Sequence, residues 1–143
     1  MIIVNFKTYS EATGRSAVDL AKKAERVNRE SKIAMGVAPQ FVDIAAIAEA
    51  VEIPVFSQHV DPIKPGNFTG HVLAESVKAA GAVGTLINHS ERRLKLSEIG
   101  EVVEITREHH LTSLVCANAA RIAAAAAVLE PDIIAVEPPE LIG

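Results

Sequence analysis

Short apolar segments recur along this chain at nearly even spacing, and no other feature of the sequence constrains the fold as strongly. The segments are rich in Val and Ile and lack clean polar alternation, which is typical of parallel strands buried on both faces. They cover residues 2–6, 33–38, 53–58, 83–88, 111–117 and 133–137. The sequence therefore predicts about six parallel strands.

The sequence between these segments carries helical patterns. Apolar residues recur at helical spacing over residues 16–30, 41–51, 72–80, 97–110 and 119–130. Ser16 with Asp19 resembles a capping box at the start of the first helix, and Asn118 is the predicted N-cap of the last. Strand and helix thus alternate, which predicts a repeated βα unit in an α/β fold.

The repeat length indicates an incomplete barrel. Strand starts recur about every 26 residues, so a closed barrel of eight βα units would need roughly 210 residues. The chain has 143 residues and is expected to form one domain over residues 1–143, short of closure by about two units. An open array of this kind has exposed strand edges, which favour pairing with another chain.

Composition excludes several classes of partner. The net charge is −4 and there is no basic run, which argues against binding to nucleic acid or to an anionic membrane surface. The N-terminus enters a strand-like segment at once, so no signal peptide is expected, and no apolar stretch is long enough to span a bilayer. Cys116 is the only cysteine, so no internal disulfide forms and a reducing cytoplasm is expected.

Polar residues at the carboxyl ends of the predicted strands are the candidates for chemistry, because ligands of parallel βα arrays gather there. Asn5 and Lys7 end the first strand, His89 follows the fourth, and Glu137 ends the sixth. Histidine suits proton transfer near neutral pH, and exclusion of water would favour the protonated form of Glu137, making it a candidate general base. Taken singly, each residue also has a non-catalytic interpretation: Lys7 could extend into water, His89 could be structural, and Glu137 could be solvated.

Two further observations bear on function. Residues 59–71 hold two prolines and two glycines without a helical pattern, and a loop this long is usually functional or an interface element. Gln58, just before this loop, is expected to support the strand ends by hydrogen bonding. The spacing of His, Cys and Asp matches no metal site, and no phosphate-binding glycine motif is present, so neither a metal nor a cofactor is expected.

Three stretches resemble one family when they are taken in order. NFK at 5–7, NHSERR at 88–93 and AVEPPELIG at 135–143 resemble the triosephosphate isomerases, and the compact archaeal-type enzymes most closely. The resemblance implies a TIM-type barrel and a cytoplasmic aldose–ketose isomerase of glycolysis and gluconeogenesis. Its substrate would be a small phosphorylated triose, with dihydroxyacetone phosphate and glyceraldehyde 3-phosphate interconverted through an enediolate.

The resemblance also implies roles for individual residues. Asn5 matches a substrate contact, and Lys7 matches the lysine that binds substrate and stabilises the negative charge of the enediolate. His89 matches the electrophile, and Glu137 matches the base that moves a proton between adjacent carbons. The amide of Gly143 matches a phosphate contact.

The remaining matches lie around the site and in the long loop. Ser90 and Glu91 match residues that support the histidine and the lysine, and residues 138–143 match the front of a mobile lid. Loop 59–71, with His59 and Thr69, matches an interface loop that inserts into a neighbouring subunit. A homo-oligomer, dimer or tetramer, is therefore expected through this loop and the exposed sheet edges.

The sequence departs from the family at its end, because the last two βα units and their phosphate cradle are missing. The chain is then a fragment, a short natural or engineered protein that closes by association, or a protein completed by another chain. Two alternative functions stay open beside the isomerase. One is a weak or inactive barrel fragment that self-associates as a scaffold, and the other is a different sugar-phosphate barrel enzyme.

Overall fold

A computed structural model describes residues 1–137, and strands and helices alternate throughout this range. The strands are β1 (Ile2–Asn5), β2 (Met35–Ala38), β3 (Phe56–Ser57), β4 (Gly84–Ile87), β5 (Thr112–Ala117) and β6 (Ile133–Val136). The helices are α1 (Arg15–Ser31), α2 (Ile44–Ala50), α3 (Ala74–Ala79), α4 (Leu96–Glu108) and α5 (Ala120–Ala127), with 3-10 turns at Ser10–Ala12 and Phe41–Asp43. The predicted α/β alternation is confirmed.

The chain groups into two compact units. The first contains Met1–Gln58 and Glu75–Val83, and the second contains His59–Ala74 and the chain from Gly84 onward. Each unit therefore draws on two separate stretches of sequence. A single domain over residues 1–143 stays a prediction.

In the first unit, β1 and β2 are parallel, with Ile2 opposite Met35 at one end of the ladder. A parallel bridge joins Val37 to Val55, and the N–H of Val37 donates to the carbonyl oxygen of Pro54 at 2.9 Å. Strand β3 is shorter than predicted, since Pro54 has no N–H to contribute to a ladder.

Gly36 allows the chain to approach β2 closely in this unit. A Cβ added at Gly36 would lie 3.0 Å from the carbonyl oxygen of Pro54, which is tighter than side chains normally tolerate. Helix α1 packs on β2 and α2 and buries Ala17, Ala21 and Ala24. Small side chains thus bring these elements close together.

In the second unit, β4, β5 and β6 form parallel ladders with β5 in the middle. Leu86 lies opposite Leu114, and Leu114 lies opposite Ile133. The last five residues of β5 are buried, whereas every residue of β6 is at least partly exposed. The core of this unit therefore lies around β4 and β5.

Both predicted N-caps are wrong. Helix α1 begins at Arg15 after Gly14, whose φ of +59° suits glycine and whose N–H donates to Oδ2 of Asp43 at 3.0 Å. Ser16 consequently lies inside the helix. Helix α5 follows Ala119, whose carbonyl oxygen accepts the N–H groups of the first turn, so Asn118 is not its N-cap.

No helix within residues 1–137 is both long enough and apolar enough to cross a membrane.

Candidate active site

The end of β1 holds Lys7 in an unusual backbone conformation. Phe6 is 2% exposed, and the neighbouring Asn5 and Lys7 are half-buried. Lys7 has a φ of +48°, and its N–H donates to Oδ1 of Asn5 at 2.9 Å. A left-handed residue other than glycine is strained, so it persists only where its surroundings hold it, often at functional sites. Asn5 thus helps to fix the backbone that carries the lysine.

Gln58 joins the ends of β1 and β2. Its Nε2 donates to the carbonyl oxygen of Lys7 at 2.9 Å and to that of Ala38 at 3.0 Å. The supporting role expected for Gln58 is confirmed, because one amide group satisfies two strand-end carbonyls.

In the second unit, His89 and Glu137 approach each other from the ends of β4 and β6. Nε2 of His89 lies 3.9 Å from Oε2 of Glu137, and the two side chains are 13% and 40% exposed. The N–H of Glu137 donates to the carbonyl oxygen of Ala117 at 2.7 Å, which extends the ladder between β5 and β6 to the glutamate. The ladders of β5 thus bring together an imidazole and a carboxylate far apart in sequence.

The surroundings of His89 determine which ring nitrogen carries the proton. The N–H of Glu91 donates to Nδ1 of His89 at 3.2 Å, so Nδ1 acts as an acceptor. The neutral imidazole then carries its proton on Nε2, the nitrogen that faces Glu137. Oε2 of Glu91 is 3.6 Å from Nδ1, a contact that is an ion pair only when the imidazole is protonated. His89 is accordingly arranged to donate a hydrogen bond through Nε2.

Asn88, which was not among the predicted site residues, shapes the turn before His89. It is 6% exposed and has a φ of +61°. Its Nδ2 donates to the carbonyl oxygen of Cys116 at 3.0 Å, and its Oδ1 accepts the N–H of Leu94 at 2.9 Å. The available signal was an asparagine at a strand end, because asparagine tolerates left-handed backbone better than most residues.

Two arginines hold the same turn. Nη1 of Arg93 donates to the carbonyl oxygen of Asn88 at 2.9 Å, and the N–H of Arg92 donates to that of His89 at 2.8 Å. Nη2 of Arg92 also donates to Oδ1 of Asp61 at 3.2 Å. The roles of Arg92, Arg93 and Asp61 could not be predicted from the sequence, because no local pattern shows which carbonyl or carboxylate a long side chain will reach.

The other predicted site residues differ in their exposure. Ser90 is half-buried, Thr69 is exposed, and His59 is 3% exposed. Gly143 and the rest of the predicted lid, residues 138–143, lie outside the described residues. The roles assigned to these residues remain predictions.

Cys116 is unsuited to be a nucleophile. Burial, with a smaller contribution from the negative charge of Glu137, raises the pKa of its thiol to about 12. The thiol is therefore protonated at neutral pH. Among residues 1–137, no group of three or more His, Cys, Asp or Glu side chains is arranged to hold a metal ion.

A family model and similar curated proteins point to the same family. A family model described as triosephosphate isomerase matches residues 1–143. The triosephosphate isomerase of Methanocaldococcus jannaschii is 52% identical over 143 residues, which are 100% of this chain and 65% of the relative. That of Methanosarcina acetivorans is 52% identical over 142 residues, 99% of this chain and 64% of the relative. The chain thus spans slightly less than two thirds of the length of these relatives.

A solved structure shows the fold. The crystal structure of triosephosphate isomerase from Bartonella henselae matches with a TM-score of 0.75 over 96% of this chain and 67% of that chain, at 20% identity. The expected class, an incomplete α/β barrel of the TIM type with parallel strands and surrounding helices, is confirmed.

Proposed function

We propose that this chain, which belongs to the triosephosphate isomerase family, carries the groups that interconvert dihydroxyacetone phosphate and glyceraldehyde 3-phosphate. The observation that supports this most is the 3.9 Å approach of Nε2 of His89 to Oε2 of Glu137. The reaction needs a base for a carbon-bound proton and a hydrogen-bond donor for the neighbouring carbonyl. This pair supplies one of each.

The proposed chemistry assigns one step to each group. The carboxylate of Glu137 removes the proton from the carbon next to the carbonyl, and Nε2–H of His89 stabilises the developing oxyanion. The resulting enediolate is protonated on the adjacent carbon by the carboxylic acid of Glu137, which restores the carboxylate. His89 moves protons between the two oxygens, so atoms and charges balance over the cycle.

The separation of the two groups suits this division of work. A distance of 3.9 Å is too long for a direct hydrogen bond between the imidazole and the carboxylate. Both groups can therefore address adjacent atoms of one small substrate. Positioning of this kind supplies much of the rate enhancement in reactions of bound substrates.

The remaining assignments belong to the same proposal. Lys7 binds substrate and stabilises the negative charge of the enediolate, Asn5 contacts the substrate, and the amide of Gly143 contacts its phosphate. Exposure of Thr69 and of Phe68, at 44%, supports loop 59–71 as an interface between copies of the chain. A homo-oligomer in the cytoplasm is part of the same proposal. Ser90 and Glu91 are proposed to support the catalytic side chains. For Glu91 the supporting observation is its N–H, which donates to Nδ1 of His89.

The test is an isomerase assay on the purified 143-residue chain. Glu137→Gln removes the base with little change in size and should lower kcat by a factor on the order of 10²–10⁴. Glu104→Gln, the same change on the exposed face of α4, should leave kcat unaltered. No turnover by the unmodified chain, or equal turnover by the two variants, would contradict the proposal.

A second measurement tests the intermediate. In D₂O, proton transfer through an enediolate introduces deuterium at the carbon that receives the proton, which NMR of the product detects. A product without deuterium would argue against a base that exchanges its proton with solvent. The alternative of a self-associating scaffold predicts neither turnover nor exchange.

A further inference from the structure

Asp61 connects three separate parts of the second unit through one buried carboxylate. Its side chain is 11% exposed, and its Oδ2 accepts the N–H of Val72 at 2.6 Å. Its Oδ1 lies 2.9 Å from Nε2 of His59 and accepts Nη2 of Arg92 at 3.2 Å. The N–H of Asp61 also donates to the carbonyl oxygen of Val72 at 2.9 Å. Both carboxylate oxygens are therefore in use.

One of these contacts leads directly to the imidazole of the proposed site. The backbone N–H of Arg92 donates a hydrogen bond to the carbonyl oxygen of His89 at 2.8 Å, and its guanidinium group donates one to Asp61. The turn that starts at His89 is thus closed by the backbone of Arg92, and the Arg92 side chain is held by a carboxylate from another segment. Charge-assisted hydrogen bonds of this kind are stronger than neutral ones.

Arg92 and Asp61 differ in the exposure of their side chains, and this difference identifies Asp61 as the fixed partner. The Arg92 side chain is 56% exposed, whereas that of Asp61 is 11% exposed. A long, exposed arginine loses considerable conformational freedom when it is held, so it needs a rigid acceptor. Asp61 is rigid because Val72 and His59 hold its carboxylate from other directions.

We propose that Asp61 is a positioning residue for His89. Acting through Arg92, it holds the turn 89–92 so that Nε2 of His89 keeps its place opposite Glu137. Asp61 does not touch the reacting atoms. The proposal rests on the proposed isomerase function for its kinetic consequence, but its structural consequence can be measured without turnover.

The first experiment measures amide hydrogen exchange by NMR in the full chain. Asp61→Asn should accelerate exchange of the Arg92 amide about tenfold, as expected when one charge-assisted hydrogen bond behind it is lost. The Ser113 amide, which donates to Oδ2 of Asp132 at 2.8 Å, should not change. Asp132→Asn is the matched control, because it makes the same chemical change in the same unit. It should accelerate exchange of the Ser113 amide and leave exchange of the Arg92 amide unaltered.

The second experiment observes the imidazole itself. Long-range ¹H–¹⁵N spectra of the unmodified chain should show Nδ1 of His89 unprotonated and Nε2 protonated. Asp61→Asn should move the ¹⁵N chemical shifts of both ring nitrogens toward the values of an imidazole that exchanges between its two tautomers. Asp132→Asn should leave these chemical shifts unchanged. A general loss of stability would not produce this selective change.

The third experiment is kinetic and uses Arg92→Lys as a second variant, since the exposed Arg92 side chain can be replaced without opening the core. Asp61→Asn and Arg92→Lys should each lower kcat about tenfold with little change in KM, and the double variant should be no slower than the worse single one. Asp132→Asn should keep the kcat of the unmodified chain.

The outcomes separate the two proposals. If the unmodified chain has no isomerase activity, the proposed function fails, yet the exchange and imidazole measurements still decide the role of Asp61. The positioning role is overturned if Asp61→Asn and Asp132→Asn accelerate both amides equally, or if the signals of His89 do not move. Additive kinetic effects of Asp61→Asn and Arg92→Lys would overturn it as well.

Discussion

Nε2 of His89 lies 3.9 Å from Oε2 of Glu137, and each of the two side chains follows a strand that pairs with β5. The spacing of the groups therefore depends on backbone ladders rather than on flexible loops alone. Small changes in side-chain length should consequently be visible in the kinetics.

Glu137→Asp tests this spacing. The shorter side chain withdraws the carboxylate by roughly one bond length, and misplacement of about 1 Å can lower a rate on the order of 100-fold. We expect a fall in kcat with a smaller change in KM, measured by steady-state kinetics. Glu104→Asp is the control, and an equal effect of the two substitutions would contradict the prediction.

Substitutions at Asn88 should separate backbone strain from side-chain hydrogen bonds. Asn88→Ala removes both hydrogen bonds and keeps the left-handed strain, so the free energy of unfolding should fall by about 2–3 kcal/mol. Asn88→Gly removes the same bonds but relieves the strain, and its loss should be about 1 kcal/mol smaller. Urea denaturation measures both, and equal losses would show that the backbone at residue 88 is not strained.

His59 should make stability depend on pH in the acidic range. Burial, opposed by its hydrogen bond to Asp61, lowers the pKa of His59 from 6.5, and Arg92 adds to the lowering. The unfolded chain then takes up a proton at this position below about pH 6.5 while the folded chain does not. Stability should decrease as the pH falls from 6.5 toward the folded pKa.

The pH effect is measured by urea denaturation at pH 7.5 and 5.5. His59→Gln should reduce the difference in unfolding free energy between the two pH values, since the other histidines contribute equally to both proteins. The pKa of Asp61 is also lowered. Burial opposes this shift, but the hydrogen bonds from Val72 and His59 with the charges of His59 and Arg92 outweigh it. The contribution of Asp61 to stability is therefore lost only in more acidic solution. An unchanged difference in unfolding free energy between the two pH values in His59→Gln would contradict the prediction for His59.

Cys116 should be unreactive in the folded chain. Its side chain is buried and its thiol has a pKa of about 12, raised chiefly by burial, so little thiolate exists at pH 8. Labelling with a disulfide reagent should proceed at the rate of unfolding and become fast in concentrated urea. Rapid labelling of the native protein would contradict the burial of this strand.

Some of the hydrogen bonding around the candidate site could not be predicted because it depends on long-range contacts. The turn at Asn88 is stabilised by Cys116 in the next strand, and Asp61, which accepts the N–H of Val72, holds the side chain of Arg92. The two predictions of helix N-caps were wrong for a similar reason. Gly14 precedes α1 with its N–H on Asp43, a residue much further along the chain.

The sequence by itself determined the alternation of strands and helices, because β-branched apolar runs and helical periodicity are local properties of the chain. It also determined that polar side chains stand at the ends of β1, β4 and β6. Only the tertiary structure decided that His89 and Glu137 meet, that Nδ1 of His89 accepts the N–H of Glu91, and that Asp61 and Arg92 hold the turn. These relationships depend on strand register and on how far long side chains reach, which no local pattern encodes.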